Sequence, residues 1–284
     1  MVTAENYEAW VGREIEKIDT IDTHRVAGLS AILDKNYKIP TPGSPLPPCW
    51  HWAFCNDVVP QSQLGVDGHP ERGGFLPDLK LPRRMWAGSK VQINQSLRVG
   101  DTVTKRSKIL SITPKSGKSG QLFFVSIKHE WFVGDKLSIK EDQDIVYRDM
   151  PRKINSNSSG ITAPSKSLWR REIKPDPVLL FRYSALTFNG HRIHYDQPYC
   201  ISEEGYPGLV VHGPLIATFL LDLCRHSNPE REISRFSFRA VSPLFDQSPF
   251  FISGSLTDDG NAADLWAENA EGYISSKAKV EMKG

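Results

Sequence analysis

Residues 214–224 read PLIATFLLDLC, and Asp222 is the one charged residue among them. Drawn as a helix, the run is apolar around nearly its whole circumference. It therefore has no face to offer to water and predicts a helix buried against a sheet. The fold depends on what surrounds that helix.

Downstream, residues 235–256 (RFSFRAVSPLFDQSPFFISGSL) and 264–282 (DLWAENAEGYISSKAKVEM) are rich in alternating β-branched and aromatic residues, with the turn sequence DDGN at 258–261. Upstream, residues 91–110 (VQINQSLRVGDTVTKRSKIL) and 121–133 (QLFFVSIKHEWFV) do the same on either side of SGKSG at 116–120. Both stretches predict antiparallel strands. Two helix starts also rhyme. DTHRVAGLSAI (22–32) and DPVLLFRYSAL (176–186) each open on an aspartate suited to an N-cap, and they share Ser30/Ser184 and Ala31/Ala185 in one register. Pro177 sits at the favoured first helical position.

Between the repeats, residues 151–167 (PRKINSNSSGITAPSKS) have no hydrophobic period and read as a linker. The chain thus divides into an N-terminal unit, 1–150, and a C-terminal unit, 168–284, each of domain size. Helix followed by antiparallel sheet, twice, is an α+β pattern. A sheet wrapped around one central helix is a hot-dog. The expectation is a double hot-dog with two antiparallel sheets and a central helix in the C-terminal half.

Composition narrows the function. The chain has 284 residues, 39% hydrophobic and 24% charged, with a net charge of +2. That balance gives no field arguing for nucleic acid or a membrane surface. The basic run Lys80-Leu81-Pro82-Arg83-Arg84 reads on its own as a solvated strand end. Four cysteines without a CxxC pair read as reduced thiols of a cytoplasmic protein. The start, MVTAENYEAWVGREIEKIDTID, resembles neither a signal nor a transit peptide, and no apolar run has membrane-spanning length.

Two polar clusters carry the chemistry. The first, TFNGHRIHYD at 187–196, holds His191 and His194 at a spacing that shares one face if helical. Zinc would need further ligands. Asp196 and His212 are available, but there is no cysteine partner and no second histidine pair, so no metal is expected. His191 alone reads as a solvated polar residue. The second cluster, EGYPGLVVHGP at 204–214, ends where the buried helix begins. Free N–H groups at a helix start favour negative charge, and Gly213 keeps its donor while letting a ligand approach closely. His212-Gly213-Pro214 could equally be a simple cap. Taken together, an imidazole that titrates near neutrality and an oxyanion donor suit addition of water across, or its removal from, a double bond conjugated to a thioester.

At these residues the sequence resembles the MaoC-like, (R)-specific enoyl-CoA hydratase family. The run Tyr183-Ser-Ala-Leu-Thr-Phe-Asn189-Gly-His191-Arg-Ile-His194, followed by Gly208-Leu-Val-Val-His212-Gly213, matches the family's motif. His194 falls on its catalytic histidine, Asn189 falls where most members carry aspartate, and His191 replaces the motif's asparagine. The whole chain is similar to the fused double-hot-dog subgroup of mesaconyl-C4-CoA hydratase, itaconyl-CoA hydratase and mitochondrial-type 3-hydroxyacyl-thioester dehydratase. That subgroup has Asn in place and an equivalent of Gly68-His69-Pro70 … Gly73-Gly74-Phe75-Leu76-Pro77 … Pro82-Arg83-Arg84-Met85-Trp86-Ala87-Gly88.

The resemblance implies a cofactor-free hydro-lyase that reversibly hydrates an enoyl-CoA thioester, expected to be a short branched dicarboxylic one (mesaconyl-C4-CoA or itaconyl-CoA), with Asn189 and His194 catalytic and His212 and Gly213 binding the thioester. It also implies a catalytically degenerate N-terminal half that makes room for the acyl chain. There Trp86 is expected as an apolar wall and Arg84, or Arg83, as a partner for a distal carboxylate. Pairing of two chains as a homodimer stays open. So do three other activities: dehydration of 3-hydroxyacyl thioesters in fatty-acid metabolism, thioester hydrolysis with Asp222 as the acid in the central helix, and non-catalytic acyl-thioester binding.

Overall fold

Asp22 and Asp176 cap their helices as expected. Each carboxylate accepts the backbone N–H three residues on, from Arg25 and Leu179. The computed structural model describes residues 7–34, 40–117, 120–149 and 160–283. Residues 1–6 of the N-terminal stretch and 151–159 of the expected linker lie outside them. The helices are α1 (Thr23–Ile32), α2 (Pro177–Thr187), α3 (Gln197–Ser202) and α4 (Gly213–Ser227). In the first half the strands are β1 (Glu14–Thr20), β2 (Arg83–Ile93), β3 (Thr102–Gly117), β4 (Gly120–Val133) and β5 (Lys136–Arg148). In the second they are β6 (Trp169–Ile173), β7 (Glu232–Ala240), β8 (Phe250–Leu256), β9 (Ala262–Glu268) and β10 (Ile274–Lys283).

The two antiparallel sheets expected from sequence are halves of one. All ten strands pair in the order β1-β3-β4-β5-β2-β7-β10-β9-β8-β6. The halves join where β2 runs antiparallel to β7, from Gly88 opposite Arg239 to Gln92 opposite Arg235. The reason is edge satisfaction. Separate sheets would leave both strands with a row of unpaired N–H and C=O groups, and pairing them removes both edges. The true outer edges are β1 and β6, neither of which is evident from sequence. Both are short and rich in charge (EIEKIDT and WRREI), which suits an edge facing water.

The 214–224 run is buried as predicted. Every residue from Leu215 to Cys224 is inaccessible, and α4 packs on β6 and β8, with Phe219 edge-on to Phe250. Each such aliphatic or aromatic side chain contributes about 1.5–3 kcal/mol. Among the described residues the N-terminal half has no counterpart. A single 3-10 turn, Trp50–Ala53, fills its sheet instead, with Trp50, His51 and Ala53 buried. Together these elements form the double hot-dog, with its central helix in the second half. The described end of the linker is tied down, since Thr162 bridges Tyr273 and Ala163 donates to the Gly272 carbonyl. Among the described residues no helix is long and apolar enough to cross a membrane.

Candidate active site

Helix α2 stops in an unusual way. Its C-cap, Phe188, is left-handed at φ 49°, a strained conformation for a bulky side chain. That turn swings Asn189 out of the helix and into a cavity of about 1010 Å³ between the halves. Residues 192–194 then form a 3-10 turn, so His191 and His194 do not share a helical face. Their rings stand at 89°.

His194 is buried. Its Nδ1 donates to the Val210 carbonyl at 2.6 Å, which leaves Nε2 as the acceptor nitrogen. Burial pushes its pKa down to about 4, against the opposing pull of that carbonyl, so the ring is a neutral base at pH 7. The Asn189 Oδ1 accepts the His191 backbone N–H at 3.0 Å. Its amide NH₂ therefore remains as donor, on a side chain that lines the same cavity. His212 stacks on His194 with centroids 3.6 Å apart and meets the Ser184 hydroxyl through Nε2 at 2.9 Å. Gly213 follows as the first residue of α4, where N–H groups lack helical partners, and it too lines the cavity.

Opposite Gly213 stands Trp86 of β2. A Cβ built on Gly213 would lie 2.8 Å from the Trp86 ring, so glycine permits that approach. Trp86 stacks on Phe238, with centroids 4.8 Å apart, and donates its indole N–H to Ser89. Ser89 donates in turn to the buried Glu141 carboxylate at 2.5 Å, which also accepts from Trp52 at 3.1 Å and meets His51 at 3.3 Å.

The two arginines divide. Arg83 is buried in an ion pair with Glu204 at 2.9 Å, so it is not available to a ligand. Arg84 lines the cavity and has no ion pair among the described residues. Its cross-strand neighbour is Tyr147; burial raises the pKa of that hydroxyl, and the charge and hydrogen bond of Arg84 oppose the rise. The basic run is therefore not a solvated strand end.

One pair of residues was not assigned from sequence. His69 lies against His191, with ring centroids 4.1 Å apart, and its Nδ1 is 3.1 Å from Asp67. So His191 is packed across the halves instead of solvated. Gly68 makes this possible: a Cβ there would collide with the Gly190 carbonyl oxygen. Arg192 completes the seam by donating its backbone N–H to the Asp67 carbonyl at 2.9 Å. The signal available in sequence was Gly68-His69-Pro70 beside Gly190-His191, two Gly-His pairs whose proximity the spacing could not reveal.

Asp67, His69 and His191 are also the one group among the described residues with metal-ligand spacing, their ligand atoms lying within 4.8 Å of one another. The charges of Arg84 and Arg72 act on His69 there and oppose a cation. Asp196 is occupied, capping α3 at Tyr199 and pairing with Arg192 at 2.8 Å. Asp222 pairs with Arg171 at 3.0 Å and does not line the cavity. A neutral imidazole, a fixed amide donor and a helix-start N–H around one cavity form a set able to move a proton and stabilise an enolate oxygen.

Residues 49–246 match the family model for hydroxyacyl-thioester dehydratase type 2. Over 283 residues, all of both chains, the sequence is 44% identical to the mesaconyl-C(4)-CoA hydratase of Chloroflexus aurantiacus. The chain belongs to the hydroxyacyl-thioester dehydratase type 2 family. Within this family it is also 30% identical to the mitochondrial enzyme of Schizosaccharomyces pombe, over 78% of this chain and 80% of that one. Its fold is that of a MaoC-like dehydratase from Phytophthora capsici, with a TM-score of 0.70 at 17% identity over 96% and 95% of the two chains. Membership of the family makes the protein a hydro-lyase.

Proposed function

We propose that this protein reversibly hydrates a short, branched, dicarboxylic enoyl-CoA of the mesaconyl-C4 type. One observation carries the reading: Arg84, with no ion pair among the described residues, lines the same cavity as Asn189, His194 and Gly213. A guanidinium there suits a distal carboxylate. The full-length similarity to a mesaconyl-C(4)-CoA hydratase supports it.

In this scheme the Asn189 amide donates to a water oxygen, and that water donates to His194 Nε2. The Gly213 N–H hydrogen-bonds the thioester oxygen as enolate charge develops. As the water's oxygen bonds to the β-carbon, His194 takes its proton and then delivers it to the α-carbon. One water thus supplies both groups added, and neither a metal nor an organic cofactor enters the scheme. His212 backs His194, and the Nδ1–H bond to Val210 keeps the basic nitrogen toward the cavity. The C-terminal half is then catalytic and the N-terminal half, through Trp86 and Arg84, shapes the acyl pocket. Both parts of the site come from one chain, so a homodimer is not required to complete it. Four buried free thiols fit a cytoplasmic setting.

The family match and the Schizosaccharomyces relative favour a second reading, dehydration of fatty 3-hydroxyacyl thioesters. Loss of the conjugated-thioester absorbance distinguishes them. Rapid loss with mesaconyl-C4-CoA and itaconyl-CoA, and little with crotonyl-CoA, is expected. Turnover of crotonyl-CoA alone would establish the fatty-acyl reading, and binding of all three without turnover would leave an acyl-thioester binder.

A further inference from the structure

Asn189 sits in a turn with a strained entry and a permissive exit. The left-handed Phe188 precedes it and Gly190 follows it. Two local bonds hold the residue. Its backbone N–H donates to the Ser184 carbonyl at 2.8 Å, and its Oδ1 accepts the His191 backbone N–H at 3.0 Å. The second bond fixes which way round the amide stands, because only the oxygen accepts an N–H. It lasts only while the backbone of 190–192 stays where it is.

The N-terminal half holds it there. Residues 65–69 form a tight turn of their own. Gly65 N–H donates to the His69 carbonyl at 2.8 Å, and Gly68 N–H to the Gly65 carbonyl at 2.9 Å. The Asp67 carboxylate accepts the His69 backbone N–H at 3.0 Å and meets its Nδ1 at 3.1 Å. This turn grips three successive residues after Asn189. Gly68 abuts Gly190 so closely that a Cβ on either would strike the other's carbonyl oxygen. The His69 ring lies on that of His191, with centroids 4.1 Å apart. Arg192 donates its backbone N–H to the Asp67 carbonyl at 2.9 Å and its Nη1 to the Val66 carbonyl at 3.0 Å.

We infer that the 65–69 turn is a clasp that sets the orientation of the Asn189 amide, with Gly68 and His69 as its positioning residues. Its consequence rests on the proposed hydratase scheme, in which that amide donates to the attacking water. An amide released from the His191 N–H is free to turn over. Its oxygen then competes with His194 Nε2 for the hydrogens of the water, and the donor that holds the water oxygen is lost. The N-terminal half thus acts on the proton-transfer geometry as well as on the acyl pocket.

The test measures kcat and KM for mesaconyl-C4-CoA in Gly68→Ala, His69→Ala and His69→Phe, with folding checked by circular dichroism. Gly68→Ala removes no polar side chain, and His69→Phe keeps a ring against His191 while removing the imidazole. In the two alanine variants kcat should fall at least about tenfold, the scale of a misplaced catalytic group, and KM should move less than about twofold. His69→Phe should stay within about threefold of the wild type, since packing and not proton transfer is its task. Nuclear magnetic resonance of the Asn189 side-chain amide, assigned by its loss in Asn189→Asp, supplies a readout independent of turnover. Its resonances should shift in Gly68→Ala and His69→Ala. If Gly68→Ala does not fold, His69→Ala decides. A folded alanine variant with wild-type kcat, an unmoved Asn189 amide, or His69→Phe as inactive as His69→Ala would each overturn the clasp. An amide that shifts in the variants of a protein that turns over no thioester would uphold the clasp and remove the hydratase reading instead.

Discussion

Each half of the molecule buries histidine beside other polar groups, and the two sets point in different directions. In the C-terminal half His194 and His212 are stacked at the wall of a cavity, and Asn189 stands beside them with its amide NH₂ unspent. In the N-terminal half His51 and Glu141 are equally inaccessible, but their bonds turn inward, to Trp52 and Ser89. The sheet explains the contrast. Where α4 fills the interior with apolar side chains, polar groups are left at its N-terminal end, facing the cavity. Where, among the described residues, no counterpart of α4 forms, a carboxylate and an imidazole help fill the space and must satisfy each other. The N-terminal set nevertheless reaches the site indirectly, since Glu141 holds Ser89 and Ser89 holds Trp86 against Gly213.

The sharpest way to break this comparison is to truncate one histidine. His194→Ala should lower kcat by about 10²–10⁴-fold, the range of general acid–base catalysis, with the fold retained by circular dichroism. Full activity would remove His194 from the mechanism. Glu141→Ala should do the reverse, destabilising the fold by about 3–5 kcal/mol by breaking a buried pair, read from the denaturation midpoint. Burial raises the Glu141 pKa, but the hydrogen bond and charge of His51 outweigh it and bring it to about 2, below the ordinary 4.5. Its stabilisation is therefore present above pH 4.5 and lost as pH falls toward 2, and the variant should lack that acid-sensitive component.

Arg84→Ala should raise KM for mesaconyl-C4-CoA by about tenfold to a hundredfold, the scale of one charged hydrogen-bonded contact, and leave any residual crotonyl-CoA turnover intact. An equal loss on both substrates would remove the carboxylate contact. The smallest effect is in pH. Because burial lowers the His194 pKa to about 4, kcat/KM should stay flat through neutrality on its acid side and fall only as pH drops through 4. A fall centred near pH 6.5 would mean that the ring is solvated.

Much of this was legible because it is local. The aspartate caps, the α4 run and the strand alternation are written in residues near one another in the chain, where periodicity reports burial. The Asn189, His194 and His212-Gly213 positions were legible through their motif. The edge strands β1 and β6 were not, since short, charged, half-exposed segments lack an apolar period. The choice between Arg83 and Arg84 was not legible either, because it turns on Glu204, which lies 121 residues from Arg83.

By itself, then, the sequence determined the two capped helix starts, the alternating strands and the buried helix, because propensity, capping and periodicity act over a few residues. Only the tertiary structure decided that two sheets join into one through β2 and β7, and that Gly68 and Gly190 bring His69 onto His191. It also decided that Glu141 supports the aromatic wall from the half without a central helix. Those are pairings between distant segments, selected by edge satisfaction and close packing, and no local pattern encodes which distant partner will be met.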